Sequence, residues 1–114
     1  MPHRDDRATV LDVWRAAKFV LEFKGVMSRV EFDNDYKTQC AIIRQLEIIG
    51  EAAKRLSDSF KAEHLDIPWK SMAGMRDYLI HGYDDLDIER IWNTVTNDIP
   101  VLMQKIKPLL PGQP

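Results

Sequence analysis

The chain has 114 residues, 45% of them hydrophobic and 30% charged, with a formal net charge of −2 and a single cysteine. That length fits one helical domain over 1–114 with a modest core, and apolar faces left over favour a dimer. The charge balance argues against a strongly basic DNA coat but leaves room for an RNA met by a local basic patch. Cys40 alone builds no disulfide framework. No apolar run approaches the roughly 20 residues of a membrane span, and the N-terminal Met-Pro-His-Arg-Asp-Asp-Arg has no apolar stretch behind its charges. A cytoplasmic location is expected.

The first helix is expected over 5–24, capped by Asp5 or Asp6 and stopped at Gly25. Val10, Val13, Trp14, Ala17, Val20 and Leu21 recur at spacings of three and four, which makes one apolar face. Arg7 and Arg15 lie on its flanks, as solvated charges or as contacts for a polyanion. The basic excess of the first 30 residues and the acidic excess after 61 direct any polyanion to the first helix and Arg76. Residues 26–34 read as a short helical turn or packed connector.

Asp35 caps a second long helix, expected from Tyr36 to about Phe60. Its apolar coverage is broad, which marks it as the central helix. Gly50 costs that helix about 1 kcal/mol relative to Ala, and close approach of another helix is a reason to accept it. Cys40 is expected in the core. Glu51 is set to pair with Lys54 or Arg55. Glu47 and Glu51 are alternatively placed to face 76–83 and orient an arginine. Residues 61–67 read as a polar connector. His3, His64, His81 and Cys40 lack the spacing of a zinc site, so no metal is expected.

Pro68 starts a third long helix that meets a break at Gly82. Asp87 caps the last one, whose stripe runs from Ile88 to Ile106 with a kink expected near 96–100 because of Pro100. A tail from about 108, with Pro108, Pro111 and Pro114, is expected to be ragged. The expected fold is all-α: an antiparallel four-helix bundle with short connecting helical turns.

The chemistry concentrates in Arg76, His81 and Tyr83. Five residues on a continuous helix turn through about 140°, so Arg76 and His81 converge only if the helix loosens before Gly82 or a second copy completes the site. Two copies at one cleft would also separate the base from the acid. Histidine moves protons near neutrality. Arginine presents a planar fork to phosphate oxygens and can stabilise a pentacoordinate phosphorus. The RNA 2′-hydroxyl is a built-in nucleophile, so the trio suits a metal-free endoribonuclease. Tyr83, beside the acids Asp84 and Asp85, also suits a modification that brings in a phosphate group. A plain structural role fits the same residues: Arg76 paired with Glu47, Glu51 or Asp84, His81 closing a helix end, Tyr83 packed on the last helix.

Three stretches, Ala41–Leu56, Ile67–Tyr83 and Asp87–Pro100, together resemble the HepT-like family within the wider HEPN group. The family signature of Arg, four residues, His, one residue and Tyr falls on Arg76, His81 and Tyr83. The resemblance implies a HEPN-like bundle acting as a homodimeric, metal-independent ribonuclease toxin of a type VII-like toxin–antitoxin pair, with Arg76 and His81 catalytic. It also implies a nucleotidyltransferase antitoxin that transfers AMP from ATP onto Tyr83, with no cofactor held by the chain itself. Asp77 follows the arginine directly, where the wider group often carries Asn, and stands with Glu47 and Glu51 as a possible orienting residue. The alternative function is a non-catalytic helical module that binds a nucleotide or the partner.

Overall fold

A computed structural model describes residues 5–82 and 85–112, and every regular element among them is helical. Helix α1 spans Asp6–Lys24. The Asp5 carboxylate accepts the Arg7 N–H at 3.0 Å and starts it. Gly25, at φ 52°, ends it in a conformation other residues rarely adopt. The connector then forms a helical turn, α2, over Arg29–Asp33. Ser28 and Glu31 close a reciprocal capping box at 3.2 and 2.9 Å, a signal the sequence reading passed over.

Helix α3 covers Tyr36–Arg55 and is capped by Asp35, as expected. The Asp35 carboxylate takes the Thr38 N–H at 3.0 Å and the Thr38 hydroxyl at 2.8 Å. Those bonds, the backbone one first, hold it below the usual carboxylate range. A depressed value in the fold means the cap contributes stability above the unfolded pKa of about 4, and loses it as pH falls through the folded value. Asp35→Ala is therefore expected to lower the urea midpoint at pH 7, with the gap to the native protein closing on acidification towards the folded value. Urea titrations across the acid range check this, and a gap that stays constant refutes it.

Cys40 is exposed, against expectation. Its neighbour Gln39 takes the inward position instead, because its amide donates to the Phe32 and Asp33 carbonyls at 2.8 and 3.2 Å and so closes the end of α2. The expected run of α3 to Phe60 also fails. Leu56 is extended and buried, and Ser57 caps a new helix, α4, over Asp58–Glu63. Asp6 fixes that break from the far end of α1 by accepting the Ser57 N–H at 3.0 Å and its hydroxyl at 2.7 Å. Part of the expected polar connector is thus helical, and His64 packs on Phe60 with ring centres 4.6 Å apart.

Pro68 precedes helix α5, Trp69–His81, and the Trp69 indole N–H donates to the His64 carbonyl at 3.1 Å. The last rod comprises α6 (Ile88–Asn93), a π-helical turn over Thr94–Asp98 and α7 (Ile99–Ile106). The Ile99 N–H reaches back five residues to the Thr94 carbonyl. The irregularity lies just before Pro100, where a backbone donor is missing. The Thr94 and Thr96 hydroxyls donate to the Arg90 and Trp92 carbonyls, each at 2.9 Å, and reinforce it. Lys107–Leu109 adds a 3₁₀ turn, and Leu109 and Leu110 pack onto the core.

Helix α3 is central, packed on α1 and α5, while α7 packs on α1. Val13, Val20, Ile42, Leu46, Leu79, Ile91 and Ile106 are among the buried side chains of the shared core. The architecture is the expected HEPN-like helical bundle. No described helix is long and apolar enough to cross a membrane.

Candidate functional site

The site is built where α5 crosses α3. A Cβ on Gly50 would lie 2.2 Å from the Arg76 Cβ and 2.7 Å from the Met72 carbonyl. The missing side chain is what lets the two helices close, as the isolated glycine in α3 suggested. This contact fixes the Arg76 stem. Its side chain is 29% exposed, and one Nη1 lies 3.3 Å from the Asp77 Oδ1. The Arg76 Nε is buried with no hydrogen-bond partner among the described residues. An unmet buried donor is costly to folding, about 1–3 kcal/mol, and a catalytic role is one of the reasons a fold keeps one.

Of the three acids expected near the arginine, Asp77 is the one in contact with Arg76 among the described residues. Its Oδ1 also accepts the Lys54 ammonium at 2.5 Å, so one oxygen serves two cations. Lys54 first, and then Arg76, hold the Asp77 carboxyl below its usual range. Glu47 and Glu51 lie elsewhere in this network: both reach Arg44, at 3.4 and 3.6 Å. Glu51 was expected to pair with Lys54 or Arg55, but Lys54 turns to Asp77 and Arg55 to Asp12 at 3.7 Å. The reason is that α5 and α1 bring acids close to these cations that no spacing within α3 reveals.

His81 is exposed at the last position of α5, its Nδ1 2.9 Å from the Asp77 carbonyl. A carbonyl oxygen only accepts, so Nδ1 carries the proton of this bond. The neutral imidazole therefore presents Nε2, on the side away from the backbone, as its basic atom. The helix does not loosen before Gly82, whose N–H still bonds the Tyr78 carbonyl at 2.9 Å. Arg76 and His81 thus keep their separation of about 140° around one axis, and one chain does not converge them. Tyr83 and Asp84 lie outside the described residues.

Two contacts beside the site were missed by the sequence reading. The Tyr78 hydroxyl accepts the Asp87 N–H at 2.7 Å, and the Arg90 guanidinium lies 3.9 Å over the Tyr78 ring. They tie the start of α6 to α5. The Asp87 carboxylate caps α6 through the Glu89 N–H at 3.0 Å, as expected. No group of three or more metal-binding side chains occurs among the described residues.

Residues 14–109, which contain Arg76, His81 and Tyr83, match the ribonuclease HepT-like family. The chain belongs to that family. A protein of Methanocaldococcus jannaschii named as a candidate RNase is 41% identical to it over 96% of this chain and 91% of its own length. One from Thermococcus cleftensis, named probable ribonuclease HepT, is 46% identical over 86% of this chain and 89% of its own. A candidate RNase of Caldanaerobacter subterraneus is 39% identical over 86% and 88%. No solved structure matches the chain.

Proposed function

We propose that this member of the ribonuclease HepT-like family is a metal-independent endoribonuclease toxin, homodimeric and cytoplasmic, silenced when a nucleotidyltransferase partner transfers AMP from ATP to Tyr83. The observation that carries the reading is the end of α5. There, within the stretch matched to the family, an arginine suited to holding phosphate and a histidine whose Nδ1 is engaged by a backbone carbonyl share one helix.

In this mechanism Arg76 grips the scissile phosphate with its fork. The His81 Nε2 removes the proton of the adjacent RNA 2′-hydroxyl as that oxygen bonds to phosphorus. Negative charge gathers on the phosphoryl oxygens, where the guanidinium stabilises it. The bond to the 5′-oxygen breaks, and this leaving group takes a proton from an imidazolium. The products are a 2′,3′-cyclic phosphate and a 5′-hydroxyl. The divergence of Arg76 and His81 around α5 supports a homodimer, because a two-fold axis at the helix end sets two such clusters across one cleft. The second imidazole then serves as the acid. The charge of Asp77 on Arg76 favours the alternative, a module that binds a nucleotide or partner without cutting RNA.

One experiment separates them. The protein is expressed alone and with the nucleotidyltransferase partner, then purified and assayed on labelled RNA in EDTA, with intact mass and peptide mapping of 76–90. Expressed alone, it is expected to arrest growth, cleave RNA to cyclic-phosphate ends and carry no addition. Expressed with an active partner, it is expected to permit growth and to carry AMP on Tyr83. Growth without arrest and RNA left intact would remove the catalytic half. An unmodified Tyr83 beside an active partner would remove the regulatory half.

A further inference from the structure

An open groove of about 730 Å³ lies where the end of α3, the short α4 and the start of α5 meet. Its floor is apolar, with Leu65, Pro68 and Trp69, and its basic lining residues are Lys54, Lys61 and Lys70, one from each of the three helices. Leu65 is 82% exposed, a large apolar side chain left to solvent. Among the described residues, no acidic side chain lines the groove. Lys61 has Asp58 at the 4.0 Å limit of an ion pair, with that carboxylate fully exposed. Lys70 makes no ion pair among the described residues. In a chain of net charge −2, three lysines around one apolar depression are a local departure from the whole.

The groove also has a direction. Lys54, on its rim, shares the Asp77 Oδ1 with Arg76, so the groove's edge meets the candidate phosphate-binding arginine across that one carboxylate. We propose that this groove is a track for single-stranded RNA, with bases on the apolar floor and phosphates along the lysines, leading the strand to Arg76. It rests on the ribonuclease reading and adds to it a substrate-binding surface on α3, α4 and α5 in place of the first helix. The charge decides the occupant. A rim of three lysines complements a polyanion, and apolar surface beside it accepts bases of any sequence. The volume suits one or two nucleotides, within the roughly 300–1,000 Å³ of small-ligand sites.

The test uses the full chain and a fluorescein-labelled 12-nucleotide 2′-O-methyl oligouridylate, which lacks the 2′-hydroxyl nucleophile and stays uncut. Fluorescence anisotropy is followed from 50 to 300 mM KCl for the native protein, for Lys61→Glu/Lys70→Glu and for a charge-matched control, Lys37→Glu/Lys107→Glu. The groove variant is expected to bind at least about tenfold more weakly than the control and to lose about 1.4 from the slope of log affinity against log salt, roughly 0.7 for each phosphate contact removed. Equal affinity and slope for the two variants overturns the proposal, as does a native protein that does not bind the probe. A groove variant that instead changes its mass by light scattering, with RNA affinity intact, overturns it in favour of a protein contact. Cleavage of ordinary RNA, assayed alongside, keeps the two readings apart. Normal cleavage with an unaltered binding slope sinks the groove and leaves the ribonuclease standing.

Discussion

His81→Ala is expected to lower the rate of RNA cleavage by about 10²- to 10⁴-fold, the usual contribution of a positioned acid–base group, and to leave the unfolding midpoint where it is. The two halves follow from the same geometry. The imidazole is exposed at the end of α5, and its Nδ1 bonds to the Asp77 carbonyl of the preceding turn. Its removal opens no cavity and strands no buried partner. If base and acid are two copies of this residue, the native rate is bell-shaped in pH, since one imidazole must be neutral and the other protonated. The variant loses both limbs. Arg76→Ala is a less clean companion, because the arginine stem packs on Gly50 and its loss reaches the α3–α5 contact. Arg76→Lys keeps the charge while losing the fork. Cleavage by purified His81→Ala at the native rate would remove this residue from the chemistry, whatever the family resemblance.

The parts of this fold that could be read from sequence are those whose causes lie within a few residues. The caps at Asp5, Asp35 and Asp87, the stop at Gly25 and the disturbance before Pro100 each depend on a side chain and the next turn of backbone. The misjudged positions depend on partners in other elements of the fold. The break at Leu56 and Ser57 is secured by Asp6, 51 residues away. Lys54 leaves its own helix for Asp77, 23 residues on. Cys40 is exposed because Gln39 has two carbonyls of α2 to satisfy, which apolar periodicity does not record.

The candidate site divides in the same way. The spacing of Arg76 and His81 already implied divergence on an unbroken helix, and α5 is unbroken through His81. Asp77 could be singled out beside Arg76 in the sequence, but that Lys54 shares its carboxylate came only from the packing of α3 on α5. The Tyr78 clamp on Asp87 and Arg90 was hidden because it joins two different helices, α5 and the start of α6. Its two halves lie on either side of the turn that follows Gly82.

That packing makes Gly50→Ala the substitution with the largest expected effect on stability, and Gly74→Ala its internal control. Both glycines sit in helix interiors, α3 and α5, so each replacement gains about 1 kcal/mol of intrinsic helix propensity. At Gly74 a new Cβ meets nothing within 4 Å, so the gain is expected to survive as a higher urea midpoint. At Gly50 the new Cβ would lie 2.2 Å from the Arg76 Cβ and 2.7 Å from the Met72 carbonyl. The latter is backbone and cannot rotate away. The helices must separate, and overpacking of this kind costs about 1–3 kcal/mol, occasionally more, which exceeds the propensity gain. The displaced helix carries Arg76, so cleavage is expected to fall with stability, in a variant that leaves every candidate catalytic side chain in place. Paired urea titrations decide it. A Gly50→Ala protein as stable as Gly74→Ala would mean that α5 yields at no cost, and that the close crossing does not position Arg76.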